Sequence, residues 1–133
     1  MTPHRLTLRV YYEDTDMAGV VYYANYLKYL ERGRSEAVRA AGIDQAALRA
    51  ESLVFVVRRI TADYLRPARF DDLLTVETRL TRLLGASFEM EQRVLREGLP
   101  LLSARLTLAC MDLGGAVRRM PPELRARLAA TAA

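Results

Sequence analysis

The residue patterns predict an α+β fold in which one long central helix is wrapped by a curved, mostly antiparallel sheet of five strands. Three observations carry this expectation. Alternation of period two runs over Arg5–Tyr12, spacing switches to three and four residues from Tyr22 to Ala41, and four strand-like runs then follow in succession. With 133 residues, 51% hydrophobic and 27% charged, the chain has apolar mass for one core and no room for a second. Residues 1–133 are therefore expected to form a single domain.

The first strand sets Leu6, Leu8, Val10 and Tyr12 against Arg5, Thr7, Arg9 and Tyr11. In the helix, Tyr22, Tyr26, Tyr29, Leu30, Gly33, Ala37 and Ala40 share one face, and Lys28, Glu31, Arg32, Ser35, Glu36 and Arg39 fill the other. Gly42 ends it as a C-cap. Gly33 costs about 1 kcal/mol against alanine in a helix, so its place on the apolar face suits close approach to a sheet. A connecting piece, Asp44–Ala50, leads to Leu53–Leu65, and Leu74–Thr81, Phe88–Leu95 and Leu102–Cys110 each alternate. Turn residues around Pro67, Gly85, Gly98 and Gly114-Gly115 separate the runs, and the last two strands read as a hairpin. Pro121-Pro122 opens a terminal helix from Glu123 to Ala129, with Ala129–Ala133 as a frayed tail. Unpaired sheet edges predict at least a homodimer, extending to a dimer of dimers.

The formal net charge is +4, and Lys28 is the only lysine. Arginines interspersed with acids throughout the chain argue against a nucleic-acid stripe, but they suit a small anion carrying phosphates. No apolar run is long enough to span a bilayer, and Met1–Leu6 lacks the apolar stretch of a signal peptide. With a single cysteine, Cys110, these features point to a cytoplasmic protein.

Elimination narrows the chemistry. The one histidine, His4, lies near the terminus and is expected on the surface, so histidine-dependent triads are ruled out. Clusters for zinc, a calcium loop and a phosphate-binding glycine loop are missing, so neither a metal nor a cofactor is expected. Carboxylates remain. Six of the seven tyrosines and the acids Glu13, Asp14 and Asp16 crowd into the junction between the first strand and the long helix. There, the N–H groups around Val21, Tyr22 and Tyr23 are placed to hold an oxyanion at the positive end of the helix dipole. Asp14, Thr15 or Asp16 serves equally well as a simple helix cap, and spacing alone does not separate the two roles for Asp16.

The stretch Tyr11-Tyr12-Glu13-Asp14-Thr15-Asp16, with Gly19-Val20-Val21-Tyr22, Ala24-Asn25-Tyr26 and Glu31-Arg32, resembles the signature of hotdog-fold acyl-CoA thioesterases of the hydroxybenzoyl-CoA thioesterase superfamily. The match is closest to the Tol-Pal-associated acyl-CoA thioesterase branch and continues through Ala62–Ala68 and the following strands.

This resemblance implies a hotdog fold and hydrolysis of acyl-CoA to free CoA and a carboxylic acid, with CoA as part of the substrate. Asp16 matches the catalytic aspartate, acting as nucleophile or as base toward water. Gly19 matches the glycine of the tight turn, with Val20 and Val21 beside it, and the Tyr23 N–H matches the group that polarises the thioester oxygen. Many Tol-Pal-type members carry histidine where this chain has Tyr23, which favours a main-chain role there. Met17, Asn25, Tyr26, Tyr29 and Phe55 are candidates for the acyl pocket, and Arg58, Arg59, Arg82 and Arg93 for the CoA phosphates. The alternative is a non-catalytic module of the same fold that binds acyl groups carried on CoA or an acyl carrier protein. Acyl-chain length and carrier stay open.

Overall fold

The computed structural model of the chain describes residues 3–132. Its strands are β1 (His4–Arg9), β2 (Val54–Tyr64), β3 (Leu73–Leu83), β4 (Ser87–Arg96) and β5 (Leu99–Met111). Its helices are α1 (Asn25–Ala40), α2 (Gln45–Ala50) and α3 (Pro122–Ala132). The sheet order is β1-β3-β4-β5-β2, and every neighbouring pair is antiparallel. Glu97 and Gly98, both with positive φ (50° and 78°), close the β4–β5 hairpin, as a two-residue turn matching the strand twist requires.

Alternation places Leu74, Val76 and Leu80 of β3, Phe88, Met90 and Val94 of β4, and Leu102, Leu106 and Leu108 of β5 in the core. Helix α1 lays Tyr26, Tyr29, Leu30, Gly33 and Val38 on that surface. A Cβ at Gly33 would fall 2.5 Å from Val76 Cγ1, so the glycine lets the helix sit down on β3. Directly beneath, the buried Gln92 donates from Nε2 to the Leu30 carbonyl (2.9 Å) and Thr78 Oγ1 (2.8 Å), and its Oε1 accepts from Arg34 (3.1 Å). A buried amide satisfied from three sides fixes the register of helix on sheet.

Several boundaries differ from the sequence expectation for local reasons. Helix α1 starts at Asn25 rather than Tyr22, because Tyr22–Ala24 form a turn closed by Asn25 N–H to the Tyr22 carbonyl (2.8 Å). β1 stops at Arg9, and Tyr12–Asp14 make a short 3-10 turn. The connecting piece contains a helix of its own, since Asp44 accepts from the N–H groups of Ala46 and Ala47 (3.0 and 3.1 Å). The expected frayed tail is helical as far as Ala132, and Ala133 lies outside the described residues. His4 is not a surface residue: it starts β1, pairs in register with Thr78, and is half-buried on the helix-facing side with Leu6 and Leu8. Among the described residues, no helix is long and apolar enough to cross a membrane.

Candidate active site

The junction between β1 and α1 is built from backbone hydrogen bonds reinforced by side chains. Thr15 and Val21 pair as an antiparallel bridge, with Asp16 N–H donating to the Val20 carbonyl (2.9 Å) and Tyr22 N–H to the Asp14 carbonyl (2.9 Å). Inside this bridge, Gly19 N–H returns to the Asp16 carbonyl (3.0 Å). Gly19 sits at φ +78°, the left-handed conformation that a three-residue hairpin loop places after its turn. A second clamp comes from the loop after β2. Val21 N–H donates to the Ala68 carbonyl (2.8 Å), and Ala68 N–H donates to the Tyr26 hydroxyl (2.9 Å).

The three acids of this junction separate in this frame. Asp14 is structural: its carboxylate accepts from Tyr11 N–H (2.8 Å), and its carbonyl also accepts from the Asn25 amide (2.9 Å). Glu13 is exposed on the 3-10 turn. Asp16 is exposed as well, but its Oδ1 accepts from Ala18 N–H (2.9 Å), while Oδ2 has no hydrogen bond among the described residues. One oxygen orients the group and the other is presented to solvent.

The expected oxyanion donors also separate. The N–H groups of Gly19, Val21 and Tyr22 are spent on the carbonyls of Asp16, Ala68 and Asp14, which removes Val21 and Tyr22 as donors and leaves Gly19 as the turn residue. Val20 and Tyr23 N–H have no acceptor among the described residues. The Tyr23 N–H is held from both sides: the Tyr22 carbonyl accepts from Asn25 N–H, and the Tyr23 carbonyl accepts from the Tyr64 hydroxyl (2.8 Å). A donor fixed by its neighbours and lacking a partner needs no reorganisation to meet developing negative charge. Tyr64 was not expected at this site, and nothing in its local pattern signals a contact 41 residues away.

The acyl-pocket candidates do not converge within one chain. Met17 is fully exposed at the tip of the turn, and Asn25 holds the Asp14 carbonyl. Tyr26 and Tyr29 are solid core, stacked edge-on at 6.0 Å, and burial pushes both phenols up. The Tyr29 hydroxyl lies near Asp14, whose negative charge adds to this shift, yet no atom meets hydrogen-bond geometry with it among the described residues. Phe55 packs on Phe88 (5.1 Å) beside a small cleft under Glu31 and Arg34. What does gather near the turn is an exposed aromatic surface. Tyr22 meets Tyr23 (4.9 Å), Tyr23 meets Tyr64 (6.4 Å), and Tyr12 meets Phe70 (6.2 Å).

Of the four CoA-binding candidates, Arg59 and Arg82 line one shallow depression on the outer sheet face, together with Glu89, Glu91 and Arg105. Arg58 is exposed where the β2 register shifts between Val57 and Arg59. Arg93 is committed elsewhere: it donates from Nε (3.1 Å) and from its terminal nitrogen (2.7 Å) to Glu77, which also accepts from Arg5 Nε (3.0 Å). That pairing corrects the expectation of a free phosphate-binding arginine.

The architecture and the turn geometry fit what comparison with known proteins finds. Residues 10–128 match the model of the thioesterase-like superfamily. The chain belongs to that family. The acyl-CoA thioesterase YbgC of Haemophilus influenzae is 47% identical over 108 residues, covering 80% of this chain and 79% of that protein. The acyl-CoA thioester hydrolase YbgC of Escherichia coli O6:H1 is 44% identical over 112 residues, 84% of each chain. Among solved structures, a probable thioesterase from Bartonella henselae superposes with a TM-score of 0.85 at 44% identity, covering 90% of this chain and 99% of that one. The fold of this thioesterase family member is the hotdog fold, a five-stranded antiparallel sheet against a long helix.

Proposed function

We propose that the protein hydrolyses acyl-CoA thioesters to free CoA and a carboxylic acid, with Asp16 as the reacting carboxylate and the Tyr23 N–H as oxyanion donor. The observation that carries this reading is the presence, in one junction between β1 and α1, of an oriented carboxylate with one unengaged oxygen and an unengaged, doubly anchored N–H. The family membership supports the substrate class.

The thioester carbonyl lies with its oxygen toward the Tyr23 N–H and its carbon toward Asp16 Oδ2. In the nucleophilic route, Oδ2 attacks that carbon, the C–S bond breaks, CoA leaves as the thiolate, and water hydrolyses the resulting mixed anhydride. In the general-base route, Asp16 takes a proton from a water that attacks the same carbon. Both routes place negative charge on the carbonyl oxygen, where a fixed main-chain donor is most effective.

The working unit in this reading is a homodimer in the cytoplasm. β2 is a long edge strand with exposed Val57 and Ile60, and the exposed Tyr64 at its end runs into the aromatic surface beside the turn. An apolar edge of this kind is unusual unless it is paired. Pairing through β2 would bring a second chain against the turn and complete an acyl pocket that one chain leaves open, with the CoA phosphates on surface arginines such as Arg59 and Arg82. Light scattering distinguishes this dimer from a monomer and from a dimer of dimers.

A panel of acyl-CoAs with a thiol-detecting reagent tests the activity. Release of CoA that depends on Asp16 supports the reading, and tight binding without release identifies a binding module. Repeated turnover in heavy-oxygen water then separates the routes, since label in the Asp16 carboxylate requires the anhydride.

A further inference from the structure

The turn that carries Asp16 is part of a ribbon of three chain segments lying side by side. Asp16 and Val20 close the hairpin opposite each other, with Asp16 N–H donating to the Val20 carbonyl (2.9 Å). Val20 in turn bridges antiparallel to Arg69, in the loop between β2 and β3. The residues flanking this row, Val21 and Ala68, are joined by the Val21 N–H to the Ala68 carbonyl (2.8 Å), and both are buried. Successive side chains of an extended segment point to opposite faces, so Asp16, Val20 and Arg69 face outward together. Two cross-strand steps set the Arg69 Cα about 10 Å from that of Asp16.

Arg69 is anchored through its backbone and unengaged at its side chain. Its N–H donates to Asp72 Oδ2 (2.8 Å), and its carbonyl accepts from Asp72 N–H (3.1 Å). The acids of the same loop are matched by other arginines: Asp72 pairs with Arg96 (2.7 Å) and Asp71 with Arg9 (3.5 Å). The exposed Arg69 guanidinium makes no hydrogen bond or ion pair among the described residues. Arg59 and Arg82, by contrast, lie on the outer sheet face beside Glu89 and Glu91. Arg69 thus puts an unmatched cation, on a fixed backbone, on the same face as the reacting carboxylate. A guanidinium fork in such a place suits a phosphate, which it holds through two parallel hydrogen bonds.

We propose that Arg69 binds the phosphate at the end of the pantetheine arm, the group that CoA shares with a phosphopantetheine-bearing acyl carrier protein. The inference rests on the hydrolase reading above and assigns the carrier side of that site. With the thioester at Asp16 and the Tyr23 N–H, the arm crosses the half-buried Val20 toward the guanidinium. The whole arm separates this phosphate from the sulfur, so a cation set apart from Asp16 suits binding rather than chemistry. Arg69 touches no reacting atom, and its loss is expected to act on substrate affinity and to spare the chemical step.

Steady-state kinetics with matched acyl thioesters of CoA, phosphopantetheine and pantetheine test the proposal in the native protein, Arg69→Gln and Arg69→Lys. Arg69→Gln should raise KM about tenfold for the CoA and phosphopantetheine thioesters with kcat unchanged. The pantetheine thioester, which has no phosphate, should be unaffected. Arg69→Lys keeps the charge and should recover most of the affinity. An acyl carrier protein thioester should show the same dependence on Arg69, and the native kcat/KM for the two carriers identifies the source of the phosphate. Calorimetric titration with CoA in Asp16→Asn, with and without Arg69→Gln, reads the contact without hydrolysis. A loss of about tenfold there supports Arg69 even where turnover proves independent of Asp16, an outcome that removes the hydrolase reading alone. The proposal is overturned by an equal loss on the pantetheine thioester, by KM and CoA affinity unchanged in Arg69→Gln, by a loss on CoA that spares the phosphopantetheine thioester, or by an effect confined to kcat.

Discussion

The two ends of α1 are built on opposite plans. At the N-terminal end a network of backbone hydrogen bonds holds the Asp16 turn and its flanks, and Met17, Tyr22 and Tyr23 stand exposed around it. At the C-terminal end, small side chains leave a cavity between α1 and α3, with a shielded imidazole at its margin. Reaction chemistry needs donors and carboxylates held in fixed positions before substrate arrives, which a dense backbone network supplies. Unfilled space arises the other way, from side chains too short to meet. Gly33 and Gln92 lie between the two ends and hold the helix at one height on the sheet.

The sharpest break in this comparison is Asp16→Asn. The amide keeps an oxygen for the Ala18 N–H, so the turn persists, but the nucleophile or base is lost. Turnover should fall by about 10²–10⁴-fold with an unchanged melting temperature; a folded variant with near-native turnover would remove Asp16 from the chemistry.

Gly33→Ala tests the shared support of both ends. Its Cβ meets Val76 2.5 Å away, and such overpacking costs about 1–3 kcal/mol, measurable by urea unfolding. A neutral result would mean that the helix shifts freely on the sheet.

Tyr64→Phe sharpens the role of the N-terminal end, because it removes only the hydroxyl that holds the Tyr23 carbonyl. Loss of that bond is worth about 0.5–1.5 kcal/mol, and the expected signature is a several-fold lower kcat with little change in KM. A change confined to stability would make Tyr64 purely structural.

The smallest effect concerns acid. Burial raises the carboxyls of Asp72 and Glu77, but hydrogen bonds outweigh it, from the Arg69 N–H and Arg96 to Asp72 and from Arg93 and Arg5 to Glu77, and both pKa values end below the usual range. Depressed folded values stabilise the protein above the unfolded carboxylate range, near pH 4, and that contribution fades as pH falls through the folded values. Because the arginines are part-exposed, each contribution is expected to stay below about 1 kcal/mol. Unfolding midpoints at pH 6 and pH 3 should differ less in Glu77→Gln than in the native protein.

The periodicities, the turn glycines and Pro121-Pro122 are local properties, and the sequence by itself determined from them the order of five strands and a long helix, the close approach at Gly33 and the cap at Gly42. Elimination of histidine and metal chemistry likewise pointed to the carboxylates of one junction. Tertiary structure alone decided how those groups divide their work. Asp14 is bound into the junction while Asp16 keeps a free oxygen, Val21 spends its N–H on Ala68, Arg93 is held by Glu77, and His4 turns inward to a cavity. In most of these cases the deciding partner sits on another element, 16 to 47 residues away for the Arg93–Glu77 and Val21–Ala68 contacts. A hydrogen bond satisfied at such a distance leaves no trace in the spacing of neighbouring residues, because only the packed fold brings donor and acceptor together.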